Sequence, residues 1–131
     1  MEEKRKTLRA DCDLAASFSR VHSDHPHLYE VLIDDISEGG ARFRSSEFIG
    51  LQDKILLKLS LPKRPIIEVM AQPAWSREVS SVSRWDVGLR FLSLGEEDRQ
   101  TIKNFVSVSL ALERLRSLNP SHIFESSEIN Q

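Results

Sequence analysis

Apolar and polar positions alternate over most of the middle of this chain. The cleanest run is Lys54-Ile55-Leu56-Leu57-Lys58-Leu59-Ser60-Leu61, in which Ile55, Leu57, Leu59 and Leu61 share one side and mainly polar groups the other, as in a strand with one buried face. Leu14, Ala16 and Phe18 share a face in the same way, as do Tyr29, Val31 and Ile33, and Trp85, Val87, Leu89 and Phe91. Ile67, Val69 and Ala71 begin a further strand. There Pro73 introduces a bulge or marks an edge, because proline has no N–H for the ladder, and Trp75 lies just past that break. Gly88 has the parity opposite to its apolar neighbours, where a backbone or ligand can approach closely. With Ala41 to Arg44, six strands are expected.

Turn-forming residues separate these runs at His22 to His27, Glu38-Gly39-Gly40, Phe48 to Asp53, Pro62 to Pro65 and Glu78 to Ser83. Short consecutive strands at this spacing predict a mainly β fold, a six-stranded antiparallel β-barrel. After Gly95 the period changes to that of a helix, with Glu96, Glu97 and Asp98 in the first turn, where they complement the helix dipole. The helix carries two apolar stripes. Ile102, Phe105 and Val106 form one, and Val108, Leu112 and Leu115 form another, rotated well around the axis. One barrel face does not bury both, so the second stripe implies a bend, packing by the tail, or an intermolecular contact such as a homodimer. The expected organisation is a single domain: a flexible basic arm over residues 1–13, a barrel over 14–94, a C-terminal helix over 95–118 and a polar tail over 119–131.

Composition agrees with one packed domain: 131 residues, 40% hydrophobic and 29% charged, are enough for a single core and too few for two large ones. The charged N-terminus lacks the apolar centre of a signal peptide. No apolar run approaches the roughly 18 residues of a membrane span, so a cytoplasmic location without a membrane span is expected. Cys12 is the sole cysteine, which excludes an intramolecular disulfide and a cysteine-cluster metal site; it reads as a small apolar filler. A net charge of −2 disfavours indiscriminate binding to DNA. Lys4, Arg5, Lys6 and Arg9 nevertheless form a short cationic arm suited to a small anion, or else a solvated terminus. His22, His25 and His27 crowd a loop with Asp24, but Pro26 limits how their rings converge, and no metal is expected there. No nucleophile elbow, phosphate-binding P-loop or metal-spaced His-Glu helix is present, and Ser37 has no evident base. The chain does not read as an enzyme, and no cofactor is expected.

The stretch Asp35-Ile36-Ser37-Glu38-Gly39-Gly40 makes a hairpin turn by itself, through a side-chain bond to the backbone. It also places a carboxylate, a hydroxyl and a residue without a side chain close together, which suits a binding site. Taken with Arg5-Lys6-Thr7-Leu8-Arg9, it gives R-x-x-x-R followed by D-x-S-x-x-G around a small barrel, and this combination resembles the PilZ domain family. The resemblance continues through Gly39-Gly40-Ala41-Arg42-Phe43 and Asp86-Val87-Gly88-Leu89-Arg90-Phe91, and covers roughly residues 4–105. It implies a six-stranded barrel with a C-terminal helix, and a bacterial receptor for the second messenger cyclic di-GMP. The implied ligand-binding residues are Arg5, Arg9, Asp35, Ser37 and Gly40. Arginine's planar fork suits guanine O6 and N7 or phosphate oxygens; Asp35 suits the donor edge of guanine; Ser37 suits a phosphate or a base. Gly40 permits a left-handed turn and close approach to the backbone.

Lys4, Lys6, Gly39, Arg42, Arg44, Trp75 and Arg77 are additional candidates, Trp75 as a stacking surface. Arg42 and Arg44 have outward parity opposite Ala41 and Phe43, which suits either a ligand contact or a solvated face. With no effector domain in the sequence, output is expected to pass through an unidentified protein partner. The competing class is a ligand-independent interaction adaptor with the same barrel.

Overall fold

In the computed structural model, residues 8–22, 24, 27–79 and 83–118 are described. Lys4, Arg5, Lys6, His25 and the tail over 119–131 lie outside them. Six strands, β1 (Ala10–Arg20), β2 (Tyr29–Ser37), β3 (Gly40–Ser45), β4 (Ile55–Leu59), β5 (Ile67–Val79) and β6 (Arg84–Ser93), are followed by one helix, α1 (Glu96–Leu118). They close into an antiparallel barrel in the order β1-β2-β3-β6-β5-β4. β3 therefore pairs with β6, and β4 closes the ring against β1.

The alternating faces predicted from the sequence line the interior. Phe18, Ile33, Phe43, Ile55, Leu57, Leu59, Ala71 and Val87 are fully buried. Phe18 stacks on Tyr29 and Phe43 with ring centroids 5.1 and 5.7 Å apart, filling the barrel with aromatic bodies in offset contact. Ile102 and Val106 of α1 close the core as the first helical stripe requires.

Three features depart from the sequence pattern. β1 starts at Ala10, with Ala10 opposite Ile36 and Asp11 opposite Asp35, so the strand reaches back into residues assigned to the arm. A register shift between Asp11 and Leu14 hides this extension, because a bulge interrupts the period of two. β5 runs through Pro73, which pairs with Leu89, and a second irregularity falls between Pro73 and Trp75. Pro73 thus adjoins a bulge rather than marking an edge, since a closed barrel has no edge strand, and Trp75 lies within the strand. Finally, the second helical stripe is solvent-facing: Val108, Leu112 and Leu115 are exposed. Among the described residues nothing buries them.

Candidate functional site

The outward residues of β2, β3, β6 and β5 line up in rows across the barrel, and the register decides which of them meet. One row reads Asp35, Arg42, Gly88, Trp75, and its neighbour reads Ser37, Gly40, Arg90, Gln72. A third reads Arg44, Asp86, Arg77. Side chains distant in sequence are thereby set within contact of each other.

The turn joining β2 to β3 is closed by Ser37. Its Oγ accepts from the Gly39 N–H at 3.2 Å and reaches the Gly40 carbonyl at 3.5 Å. Ser37 is itself buried. Gly39 in turn accepts from the Phe91 N–H at 3.0 Å, and Glu38 is paired with Arg99 of α1, so the turn is held from both β6 and the helix. Gly40 does not take the left-handed conformation expected of it, because no described glycine has a positive φ. Its lack of a side chain serves a different need: a Cβ there would lie 2.0 Å from the Leu89 carbonyl oxygen. Close packing of β3 against β6 penalises every larger residue, since the strands would have to separate to admit it.

Gly88 leaves a second gap, and Trp75 fills it. A Cβ on Gly88 would stand 2.2 Å from the indole Nε1. The indole lies across the strand while 42% of the residue stays exposed, presenting a flat aromatic surface beside the Ser37 turn. Between them is a cavity of about 220 Å³ lined by Arg9, Ser37, Gly39, Gly40, Trp75 and Arg90, among others. The structure thus brings together five of the sequence candidates. Arg90 is the residue that sequence analysis missed. It shares outward parity with Asp86 and Gly88, a signal that was legible, and it is held by Gln72 at 3.3 Å. Gln72 donates to the Leu51 carbonyl at 3.0 Å. Among the described residues no carboxylate pairs with Arg90, so its positive charge is available to an anion in the cavity.

Asp35 sits beside this cavity between two guanidinium groups. Arg42 Nε donates to Oδ2 at 2.9 Å, and Arg9 lies 3.1 Å from Oδ1. The Arg9 contact lacks hydrogen-bond geometry: Asp35 Oδ1 and Arg9 Nε are both buried without a hydrogen-bond partner among the described residues. The ion pair with Arg9 offsets part of the cost of burying Oδ1, and the hydrogen-bonding capacity left on both atoms suits a partner that can both donate and accept. The Asp35 bond is also the main reason that the Arg42 guanidinium is held even more firmly protonated than usual.

Arg44 and Arg77 are drawn elsewhere. Both donate to the buried Asp86 carboxylate, at 3.1 and 2.9 Å, and neither lines the cavity. The Arg77 bond, opposed by burial and reinforced by Arg44, holds Asp86 below the usual carboxylate range. Cys12 is half-buried and its Sγ reaches the Ile33 carbonyl at 3.4 Å. Burial, the main cause, pushes its thiol up to about 11, so it stays protonated and unreactive at neutral pH.

A larger groove of about 730 Å³ crosses the outer face of β1, β2 and β4, with Ala15 and Ser17 along it and Glu30, Asp34, Lys58, Arg44 and Arg84 dispersed around it. None of its lining residues has a buried polar atom without a partner. The smaller cavity therefore has the stronger claim to a ligand. No group of three or more metal-ligating side chains occurs among the described residues. No described helix is long and apolar enough to cross a membrane.

The chain is a small closed β-barrel of six strands with a polar cavity against the β2–β3 turn. The PilZ domain family matches residues 3–107, and the chain belongs to it. Solved structures share the fold. The inhibitor of motility MotI/DgrA from Bacillus subtilis superposes with a TM-score of 0.72 at 17% identity, over 86% of this chain and 54% of that one. The K. pneumonia MrkH–c-di-GMP complex gives 0.66 at 18% identity, over 88% of this chain and 55% of that one. The PilZ domain of YcgR from Escherichia coli, with c-di-GMP, gives 0.61 at 13% identity, over 88% of this chain and 98% of that one. The chain spans about half the length of MotI and MrkH, and nearly all of the YcgR domain. A comparison with curated proteins finds none that matches.

Proposed function

We propose that this domain is a receptor for cyclic di-GMP, and that Arg5, Arg9, Asp35, Ser37 and Gly40 form its binding site with Trp75 and Arg90. The observation carrying this reading is the adjacent pair of unsatisfied atoms, Asp35 Oδ1 and Arg9 Nε. A guanine has donors on its Watson–Crick edge for the carboxylate and acceptors at O6 and N7 for a guanidinium, so one base satisfies both groups. Arg90 and the Ser37 hydroxyl suit the phosphate, and the indole of Trp75 offers a face for stacking. Gly40 contributes by keeping the turn close against β6. The arm bearing Arg5 and Arg9 closes over the ligand, and this ordering is the signal that a partner protein reads. MrkH and the YcgR domain, which share the fold, were each solved with c-di-GMP, in keeping with this reading. We assign the site a binding role.

Calorimetry with cyclic di-GMP tests the proposal and gives the stoichiometry, one ligand or a stacked pair. Cyclic di-AMP serves as the control, because adenine places an acceptor at N1 where guanine has a donor and leaves Asp35 mismatched. Cyclic di-GMP is expected to bind at least tenfold more tightly, roughly the 1.4 kcal/mol of one lost polar match. Equal affinities would remove Asp35 from the base edge.

The exposed stripe Val108, Leu112 and Leu115 favours a second element of the reading, self-association through α1. The stripe continues the spacing of Phe105 at intervals of three and four residues, the seam of a helix pair. Replacing Leu112 and Leu115 with serine is expected to abolish a dimer in sedimentation velocity while leaving cyclic di-GMP affinity and the fold intact. Both residues are more than half exposed, so the fold is expected to survive, and a folded variant that still associates would overturn this element of the reading.

A further inference from the structure

We infer that Arg42 is a positioning residue that sets the plane of the Asp35 carboxylate for guanine, and is not itself a ligand contact. This inference rests on the cyclic di-GMP reading above and assigns one residue's part in it. Arg42 stands directly opposite Asp35 in the β2–β3 ladder. Its Nε holds Oδ2 at 2.9 Å, while its NH1 lies 3.5 Å from Asp34 Oδ2. Neither it nor Asp35 lines the cavity, but Asp35 reaches toward it through Arg9, which does, whereas Arg42 is turned to Asp35 and Asp34. With Oδ2 fixed, Oδ1 has one orientation, toward Arg9, and is left buried and without a hydrogen bond.

A guanine presents two adjacent donors, N1–H and the 2-amino group, so pairing both with one carboxylate requires the carboxylate plane to be set in advance. Each carboxylate oxygen accepts two bonds, so Oδ2 keeps Arg42 while receiving the base.

The test compares wild type, Arg42→Gln and Arg42→Lys by calorimetry against cyclic di-GMP and cyclic di-IMP, whose hypoxanthine bases lack the 2-amino donor. Wild type is expected to prefer cyclic di-GMP. In Arg42→Gln the affinity for cyclic di-GMP falls about tenfold, the scale of one charge-assisted hydrogen bond, and the preference over cyclic di-IMP shrinks toward one. Lysine restores part of the affinity through its charge but not the preference, because an ammonium does not reproduce the directed Nε–H bond. Should the glutamine variant not fold, Arg42→Lys carries the same ratio measurement. An unchanged ratio in the folded variant, whether affinity falls for both ligands or for neither, overturns the positioning role while leaving the cyclic di-GMP site standing. Failure of wild type to bind either dinucleotide overturns the site and this inference together.

Discussion

Gly40→Ala is expected to lower the unfolding free energy by about 3 kcal/mol, the upper range for forcing extra volume into a packed interior. The added Cβ would stand 2.0 Å from the Leu89 carbonyl oxygen and 3.1 Å from its carbon. These are backbone atoms of the neighbouring strand, so β3 and β6 must move apart at the place where the barrel depends on their pairing. Gly88→Ala is a useful contrast. Its Cβ would meet the Trp75 indole, a side chain that can swing outward, and the cost to stability is expected to be well below that of Gly40→Ala. Urea denaturation of both variants checks this, with the midpoint falling further for Gly40→Ala at an unchanged slope. Equal stabilities for Gly40→Ala and wild type would mean that the two strands are not packed as closely as described.

Arg9→Ala is expected to weaken cyclic di-GMP binding by roughly 1.5–3 kcal/mol, the worth of a hydrogen bond to a charged group, which is about ten- to 150-fold in Kd. Arg5→Ala, at the other end of R-x-x-x-R, is expected to fall in the same range, and Arg→Lys at either position to rescue poorly because a point charge does not replace a planar fork. Stability of the free protein should change little in Arg9→Ala. Its side chain is one-third exposed, the contact with Asp35 lacks hydrogen-bond geometry, and Arg42 remains to hold the carboxylate. Calorimetry and thermal melts on the same preparations separate the two effects. A large loss of stability in free Arg9→Ala would make Arg9 a structural residue.

The turn at Asp35 to Gly40 shows how far local sequence carries. Its residues closed a hairpin as predicted, with the Ser37 hydroxyl accepting from the Gly39 N–H. The reason for Gly40 was not local, because the atom that crowds a side chain there belongs to Leu89, on a strand far along the chain. Arg42 and Arg44 had the parity of surface residues and Arg77 follows the break at Pro73, and local sequence left the three equivalent as candidates. Pairing partners separated them: Arg42 went to Asp35, while Arg44 and Arg77 converged on Asp86.

The amino-acid sequence by itself determined the six strands in outline, most of their buried faces, the Asp35–Gly40 turn and the start of the helix, but not the bulged parts of β1 and β5. Each follows from the periodicity and backbone preferences of neighbouring residues, and those act over a few positions of the chain. It also carried the two motifs that mark the family. Only the tertiary structure decided that β3 pairs with β6, that Trp75 fills the notch at Gly88, that Arg90 overlooks the cavity and that Asp35 is held between two arginines. Strand order and register are set by burying all the apolar faces in one closed ring at once. That condition belongs to the whole chain, and no short window of sequence contains it.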